Sequence, residues 1–237
     1  MKACVIGYGA MGRLISSILD SELACNVAIE CDYKTLRDAK EDFDVIIDFS
    51  NPANLDMILD YENEFKKPIV FATTGYTDTQ IKQIEELALT TPVLRSANFS
   101  LGVILLNRLV KEITPILKDD FDIEVVEAHH NKKVDSPSGT AKMLLKSITD
   151  ETNYKVVAGR DGISKREKAE VGVHSLRGGT IVGEHEVLYC GEDEIITLKH
   201  SAHSKKIFAN GAIKAARFLI DQKAGLYDME DVLFGKN

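Results

Sequence analysis

Much is missing from this 237-residue sequence, and each absence excludes something. There are only four cysteines, Cys4, Cys25, Cys31 and Cys190. None forms a C-x-x-C pair, and a chain this long needs no disulfide staples. They read as reduced and mostly buried, in a cytoplasmic protein. No Cys/His set has zinc-ligand spacing, so no metal is expected. Basic charge is not in excess: 29 Lys and Arg face 37 Asp and Glu, a formal net charge of −8. A duplex nucleic-acid binder usually shows the opposite balance. No apolar run approaches the roughly 20 residues that span a bilayer, so no membrane association is expected. The first twelve residues, MKACVIGYGAMG, have the apolar start of a signal peptide. Gly7, Gly9 and Gly12 break that run, and no small-residue cleavage site follows. Repeats, low-complexity segments and Pro-rich linkers are absent. What is present, 44% hydrophobic and 28% charged residues, is ordinary globular composition.

The first hundred residues alternate short apolar runs with helical patterns. Strands are expected at Lys2–Ile6, Cys25–Ile29, Phe43–Phe49, Pro68–Ala72 and near Pro92–Leu94. Helices are expected near Ala10–Asp20, Asn54–Phe65 and Thr77–Leu89, the last capped by Thr77 or Asp78. That alternation predicts an α/β domain with a parallel sheet and right-handed crossovers. After about Ser100 the pattern changes. A helix at Leu101–Leu117, a strand at Asp122–Ala128 and a helix at about Gly139–Thr149 lead into extended stretches at Glu170–Ser175, Thr180–Tyr189 and Glu194–Lys199. These predict a smaller α+β domain with a mixed or antiparallel sheet. A last helix is expected near Ile207–Ile220. The reading is residues 1–100 with 207–237 as one domain and 101–206 as the other.

Gly7-Tyr8-Gly9-Ala10-Met11-Gly12 fits G-x-G-x-x-G between a strand and a helix, the context that gives the motif meaning. Gly7 permits the tight turn, Gly9 lets a pyrophosphate reach the backbone, and Gly12 lets the helix pack on the sheet. The helix N-terminus offers N–H groups and partial positive charge to the phosphates. Glu30, 21 residues after Gly9, can accept hydrogen bonds from both hydroxyls of an adenosine ribose and would repel a 2′-phosphate. Arg13 and Lys34 could offset that repulsion, so NADH, NADPH or both are expected. Ala72-Thr73-Thr74-Gly75 and Ser96-Ala97-Asn98-Phe99 follow strands and could face the nicotinamide ribose and ring. Plain turn and capping chemistry explains the same residues equally well.

Residues 127–141, EAHHNKKVDSPSGTA, hold the densest chemistry. Ser138 suits the N-cap of the helix that starts at Gly139. The Gly139 and Thr140 amides, with the Thr140 hydroxyl, would hold one carboxylate. His130 and a lysine can hold a second anionic group. His129 or Lys133 can move a proton near neutral pH. Singly, each of these residues is equally at home as a structural histidine or a solvated lysine turn. Arg177-Gly178-Gly179-Thr180 reads as a turn between strands. The basic run Lys199–Lys206 either adds positive potential or is a solvated loop capped by Ser204. Together the features describe a pyridine-nucleotide oxidoreductase acting on a small, multiply charged anion.

The same segment resembles the signature E-x-H-H-x-x-K-x-D-A-P-S-G-T-A of the 4-hydroxy-tetrahydrodipicolinate reductase (dihydrodipicolinate reductase) family. Ser136 stands where Ala is usual, and Cys31 follows Glu30 where some members carry Arg. The resemblance extends to the GYGAMG turn, Asp48-Phe49-Ser50, Ala72–Gly75, Ser96–Phe99, Arg177–Glu186 and Phe208–Ala212. It implies a Rossmann domain completed by the C-terminal segment, a sheet domain that builds a homotetramer, and a cleft that closes over both ligands. It implies His129 and Lys133 as catalytic, and His130, Gly139 and Thr140 as substrate-binding. Gly7, Tyr8, Gly9, Ala10, Met11, Gly12, Glu30, Ala72, Thr73, Thr74, Ser96, Ala97, Asn98 and Phe99 would bind the cofactor. The implied reaction is NAD(P)H-dependent reduction in diaminopimelate and lysine biosynthesis, with hydride to C4 and a proton to C3. Two other readings stay open: a semialdehyde-type reductase, which needs a well-placed nucleophilic Cys, and a non-catalytic dinucleotide redox sensor, which needs a partner- or DNA-binding module.

Overall fold

The computed structural model describes residues 1–21, 26–29 and 43–235. The chain divides into two compact units, Met1–Leu101 with Lys206–Asn237, and Gly102–Lys205. No helix among the described residues is long and apolar enough to cross a membrane.

The first unit is built on six parallel strands. In chain order its elements are β1 (Ala3–Ile6), α1 (Ala10–Ser21), β2 (Asn26–Ile29), β3 (Val45–Asp48), a short 3-10 turn (Pro52–Asn54), α2 (Leu55–Phe65), β4 (Ile69–Phe71), α3 (Asp78–Leu87) and β5 (Pro92–Arg95). The spatial order is β2-β1-β3-β4-β5 with a sixth strand beyond β5. β1 and β4 read ACVI and IVF, continuous apolar runs with every residue buried. Such runs are expected where helices cover both faces of a parallel sheet. Thr77 caps α3 in a full capping box with Gln80. That arrangement satisfies two backbone donors that would otherwise be orphaned at the helix start.

The second unit contains α4 (Leu101–Leu117, entering from the first unit), β6 (Asp122–His129), α5 (Gly139–Thr152), β7 (Lys155–Ala158), β8 (Glu170–Arg177), β9 (Gly183–Cys190) and β10 (Ile195–Ala202). Its sheet has the order β10-β9-β6-β8-β7. β6 pairs parallel with β8 and antiparallel with β9, so the sheet is mixed. Alternate residues of β6 are buried: Ile123, Val125, Glu127 and His129. Ile123 and Val125 pack with Leu106, Val110, Ala141, Leu144 and Ile148 of α4 and α5. The period of two thus turns one face of β6 toward the helices, and it carries Glu127 and His129 onto that face.

The chain returns to the first unit through α6 (Lys206–Leu219), β11 (Gly225–Tyr227) and α7 (Met229–Phe234). β11 is the sixth strand of the parallel sheet, paired with β5.

Several details differ from the sequence expectation. β7, β11 and α7 were not anticipated. All are short, and β7 is largely exposed, so little hydrophobic periodicity marks them. The basic run at 199–206 is neither a free loop nor a source of bare charge at its start. Lys199 lies in β10 and pairs with Glu184 and Glu186 at 3.2 and 3.6 Å. The stretch after Arg177 is a turn, but β8 and β9 are not neighbours. They flank β6, and the link between them passes its end, where Gly178 N–H donates to the His129 carbonyl.

Candidate active site

The three glycines after β1 have different neighbours. A Cβ on Gly7, whose φ is +109°, would lie 2.2 Å from the Phe49 carbonyl oxygen. A Cβ on Gly12 would lie 1.8 Å from the Gly7 carbonyl oxygen. The protein's own backbone therefore requires both. A Cβ on Gly9 would meet nothing within 4 Å among the described residues. Space is kept open in front of Gly9, at the N-terminus of α1, where a pyrophosphate would need it. β1 and β3 are the strands at which the order reverses, the usual crevice of such sheets. The residues present fit a bound dinucleotide. Tyr8 and Ala10 are exposed and Met11 is half-buried beside Gly9. The Arg13 guanidinium stacks on the Tyr8 ring, 4.6 Å from its centroid. Glu30 and Lys34 lie outside the described residues.

The loops after β3 and β4 are tied together by a buried carboxylate. Asp48 accepts from the Ser50 hydroxyl at 2.5 Å and from the Tyr76 hydroxyl at 2.9 Å. The Thr73 hydroxyl accepts the Ser50 N–H at 2.8 Å. Burial pushes the Asp48 carboxyl up, against these hydrogen bonds. Ala72 and Thr73 are buried, while Thr74 is exposed. In the loop after β5, the Ser96 hydroxyl donates to the Asn98 carbonyl, and the Asn98 side chain accepts the Ser100 N–H. Ala97 is exposed and Phe99 buried. A Cβ on Gly211 of α6 would lie 1.7 Å from the Phe99 carbonyl oxygen. That contact explains the glycine in the FANGA stretch: the C-terminal helix packs directly on this loop.

In the second unit, the site is assembled around Glu127. Its side chain is fully buried. Arg177 donates to both carboxylate oxygens, from Nη1 to Oε2 and from Nη2 to Oε1, each at 2.8 Å. The Ser138 N–H donates to Oε1 at 3.1 Å, and His129 Nδ1 lies 2.6 Å from Oε2. Burial alone would raise the Glu127 carboxyl. The hydrogen bonds from Arg177, Ser175, His129 and Ser138 outweigh it and hold the pKa at about 2. Arg177 Nη2 also donates to the Asp135 carbonyl. The Glu127–Arg177 pair therefore holds the 130–138 loop at two points.

Ser138 caps α5, accepting the Ala141 N–H, and its hydroxyl meets His185 Nε2 at 2.8 Å. Burial lowers the His185 imidazole to about 4. The His129 and His185 rings meet edge to face, 5.1 Å apart. His129 is buried and its pKa is lowered, first by burial and then by Lys133 and Arg177, against the pull of Glu127. Lys133 pairs with Asp135 at 2.8 Å. His130 is half-buried, and its Nδ1 is buried without a hydrogen-bond partner among the described residues. Gly139 opens α5 with nothing among the described residues within 4 Å of where its Cβ would be, and Thr140 follows. His129, Lys133, Gly139 and Thr140 thus lie at one end of this sheet, beside the first turn of α5. An imidazole, an ammonium and helix-end amides together suit a carboxylate-bearing ring that must be held and protonated.

Reading the sequence one residue at a time missed Glu127, Arg177 and His185. The signal for Glu127 was there: on a strand, a residue two positions from His129 shares its face. Nothing local pointed to Arg177. Cys190 ends β9, and burial, then Glu124 and Asp122, raise its thiol. Cys4 is buried within β1. Neither is an activated nucleophile of the kind a semialdehyde dehydrogenase needs.

Comparison with known proteins identifies the family. The family model described as dihydrodipicolinate reductase, N-terminus, matches residues 1–99. Its C-terminal counterpart matches 102–233. The chain is 44% identical to a 4-hydroxy-tetrahydrodipicolinate reductase of Brachyspira hyodysenteriae, over 98% of this chain and all of that one. It is 41% identical to one of Clostridium novyi, over 97% and 96%. Among solved structures, a dipicolinate-bound dihydrodipicolinate reductase from Paenisporosarcina sp. TG-14 shares the fold, with TM-score 0.78, 19% identity and coverage of 96% and 97%. With both halves of the chain matched and the relatives covered nearly end to end, the protein belongs to the dihydrodipicolinate reductase family.

Proposed function

We propose that the chain reduces 4-hydroxy-tetrahydrodipicolinate to tetrahydrodipicolinate with loss of water, in diaminopimelate and lysine biosynthesis, using NADH or NADPH. The observation that carries the reading is the cluster at the end of β6, where His129, Lys133 and the open first turn of α5 lie together. Gly7–Gly12, with the loops at 72–74 and 96–99, would hold the dinucleotide, and Glu30 its adenosine ribose. A bound reduced nicotinamide supplies a hydride for C4 of the ring. The Gly139 and Thr140 amides grip one ring carboxylate at the positive end of α5. His130 orients the second anionic group. Negative charge then develops at C3, and Lys133 or His129 delivers the proton there.

The dicarboxylate bound to the Paenisporosarcina protein supports a doubly acidic ring as substrate class. Assembly as a homotetramer through the second unit's sheet belongs to the same proposal, and the exposed Ile195 and Ile196 of β10 give it apolar surface to use. So does a cytoplasmic location, which suits the free thiols of Cys4 and Cys190. The test uses purified protein, freshly generated substrate and each cofactor in turn. Substrate-dependent loss of nicotinamide absorbance is expected. A dinucleotide sensor would bind NADH and show none.

A further inference from the structure

Glu127 is held by two contacts with Arg177, one with the Ser138 N–H, one with the Ser175 side chain and one with His129 Nδ1. The two Arg177 contacts and the Ser138 contact come from obligate donors. They satisfy an ionised carboxylate, which has no proton of its own to give. The short contact to His129 Nδ1 needs a hydrogen between the atoms, and only the imidazole can supply it. The other ring nitrogen, Nε2, faces Gly183 of β9, where an added Cβ would lie 3.1 Å away. Among the described residues, His185 of β9, Lys133 of the loop with its partner Asp135, and Arg177 of β8 are the other titratable groups placed near this ring. Two of these disfavour a second proton on the ring. Lys133 and Arg177 are cationic, and burial holds His185 neutral.

We propose that Glu127 is a positioning residue that fixes His129 in the Nδ1–H tautomer, so that Nε2 serves as an acceptor in the proton transfer from Lys133. The inference rests on the reductase reading and sharpens it. In this tautomer a neutral His129 has a lone pair at Nε2 and no proton to give from there. It can orient a donor such as the Lys133 ammonium, and it can take up a proton once that ammonium has been spent. The transfer balances: the Lys133 N–H bond breaks, its electron pair stays on nitrogen, and the C3–H bond forms with the pair left by hydride addition. Arg177 holds the carboxylate that holds the ring, so it acts one contact further out.

The test is a two-bond nitrogen–proton NMR correlation on full-length protein labelled at histidine nitrogen, near neutral pH. The His129 signals are assigned by their loss in His129→Gln. The unsubstituted protein is expected to show Nδ1 protonated and Nε2 bare. In Glu127→Gln the new amide can donate to Nδ1, so the proton should move to Nε2. Turnover should then fall on the order of 10²-fold, with the KM for NADH little changed. Three results would overturn the proposal: Nε2–H in the unsubstituted protein, an unflipped ring in folded Glu127→Gln, or a flip that leaves turnover intact. Where Glu127→Gln does not fold, the spectrum of the unsubstituted protein decides alone. The spectrum needs no substrate, so it is independent of the reductase reading. Inactive protein with Nδ1–H sinks that reading and leaves the tautomer assignment standing.

Discussion

The guanidinium of Arg177 and the carboxylate of Glu127 form a bidentate pair, both contacts at 2.8 Å, between neighbouring parallel strands. Glu127 is fully buried and Arg177 is largely covered. Removing one partner of such a pair strands the other charge. Arg177→Ala should therefore lose about 3 kcal/mol of stability, read by urea unfolding, and most of the turnover. Arg177→Lys keeps the charge but not the fork and should fall between. Unchanged unfolding in Arg177→Ala would show that the pair does not organise the site.

Gly9 and Gly12 should respond oppositely to the same added methyl. Gly9→Ala meets no atom of the described residues, so its melting temperature should stay put while NADH affinity drops by about tenfold or more. Gly12→Ala runs into the Gly7 carbonyl and should lose stability outright. Calorimetry with and without NADH separates the two. A Gly9→Ala protein that binds NADH normally would remove this turn from the cofactor site.

Lys133 should matter for turnover more than for binding. Lys133→Ala is expected to cost on the order of 10²-fold in kcat as the general acid. Retention of dipicolinate binding, measured by titration calorimetry, would separate lost chemistry from lost affinity. Near-normal kcat rejects the role.

Tyr76→Phe removes one of the hydroxyls that donate to buried Asp48. A buried acceptor deprived of a partner costs about 1–3 kcal/mol. The loss should appear in urea unfolding, with a rise in KM for the cofactor because the loops after β3 and β4 share that carboxylate. Thr73→Val, which removes the acceptor for the Ser50 N–H, should act in the same direction.

Glu62 of α2 is fully buried, and that burial pushes its carboxyl up to about 9, against a smaller pull from Lys67. The folded protein thus keeps a proton that the unfolded chain releases above about 4.5. With more protons bound to the folded state at this group, the Glu62 contribution to stability falls as pH rises from about 4.5 to about 9, by at most about 1.4 kcal/mol per pH unit. Glu62→Gln should flatten that slope and be the more stable protein at pH 9. Parallel urea curves for the two proteins across this range would contradict it.

The features legible in the sequence were those with short-range causes. Gly7 and Gly12 announce a strand–turn–helix because the steric conflict they avoid lies within a few residues, or on the strand next door. Thr77 and Ser138 cap helices through bonds reaching only three residues ahead. The strands of the first unit announce themselves because burial on both faces leaves no polar positions. By contrast, β11 is three residues long and counts as a strand only because β5 offers it an edge.

Sequence alone determined the α/β plan and the glycine turn after β1, and it singled out His129, Lys133, Gly139 and Thr140 as candidates, because each depends on neighbours along the chain. Tertiary structure alone decided what surrounds His129. Arg177 lies 50 residues from Glu127, and His185 lies 47 from Ser138. Those pairs exist only because β8 and β9 settle on either side of β6, in a register that sets His129 opposite Arg177. Strand order and register are decided by which buried faces and backbone donors find partners across the whole sheet, a choice no local stretch of residues encodes.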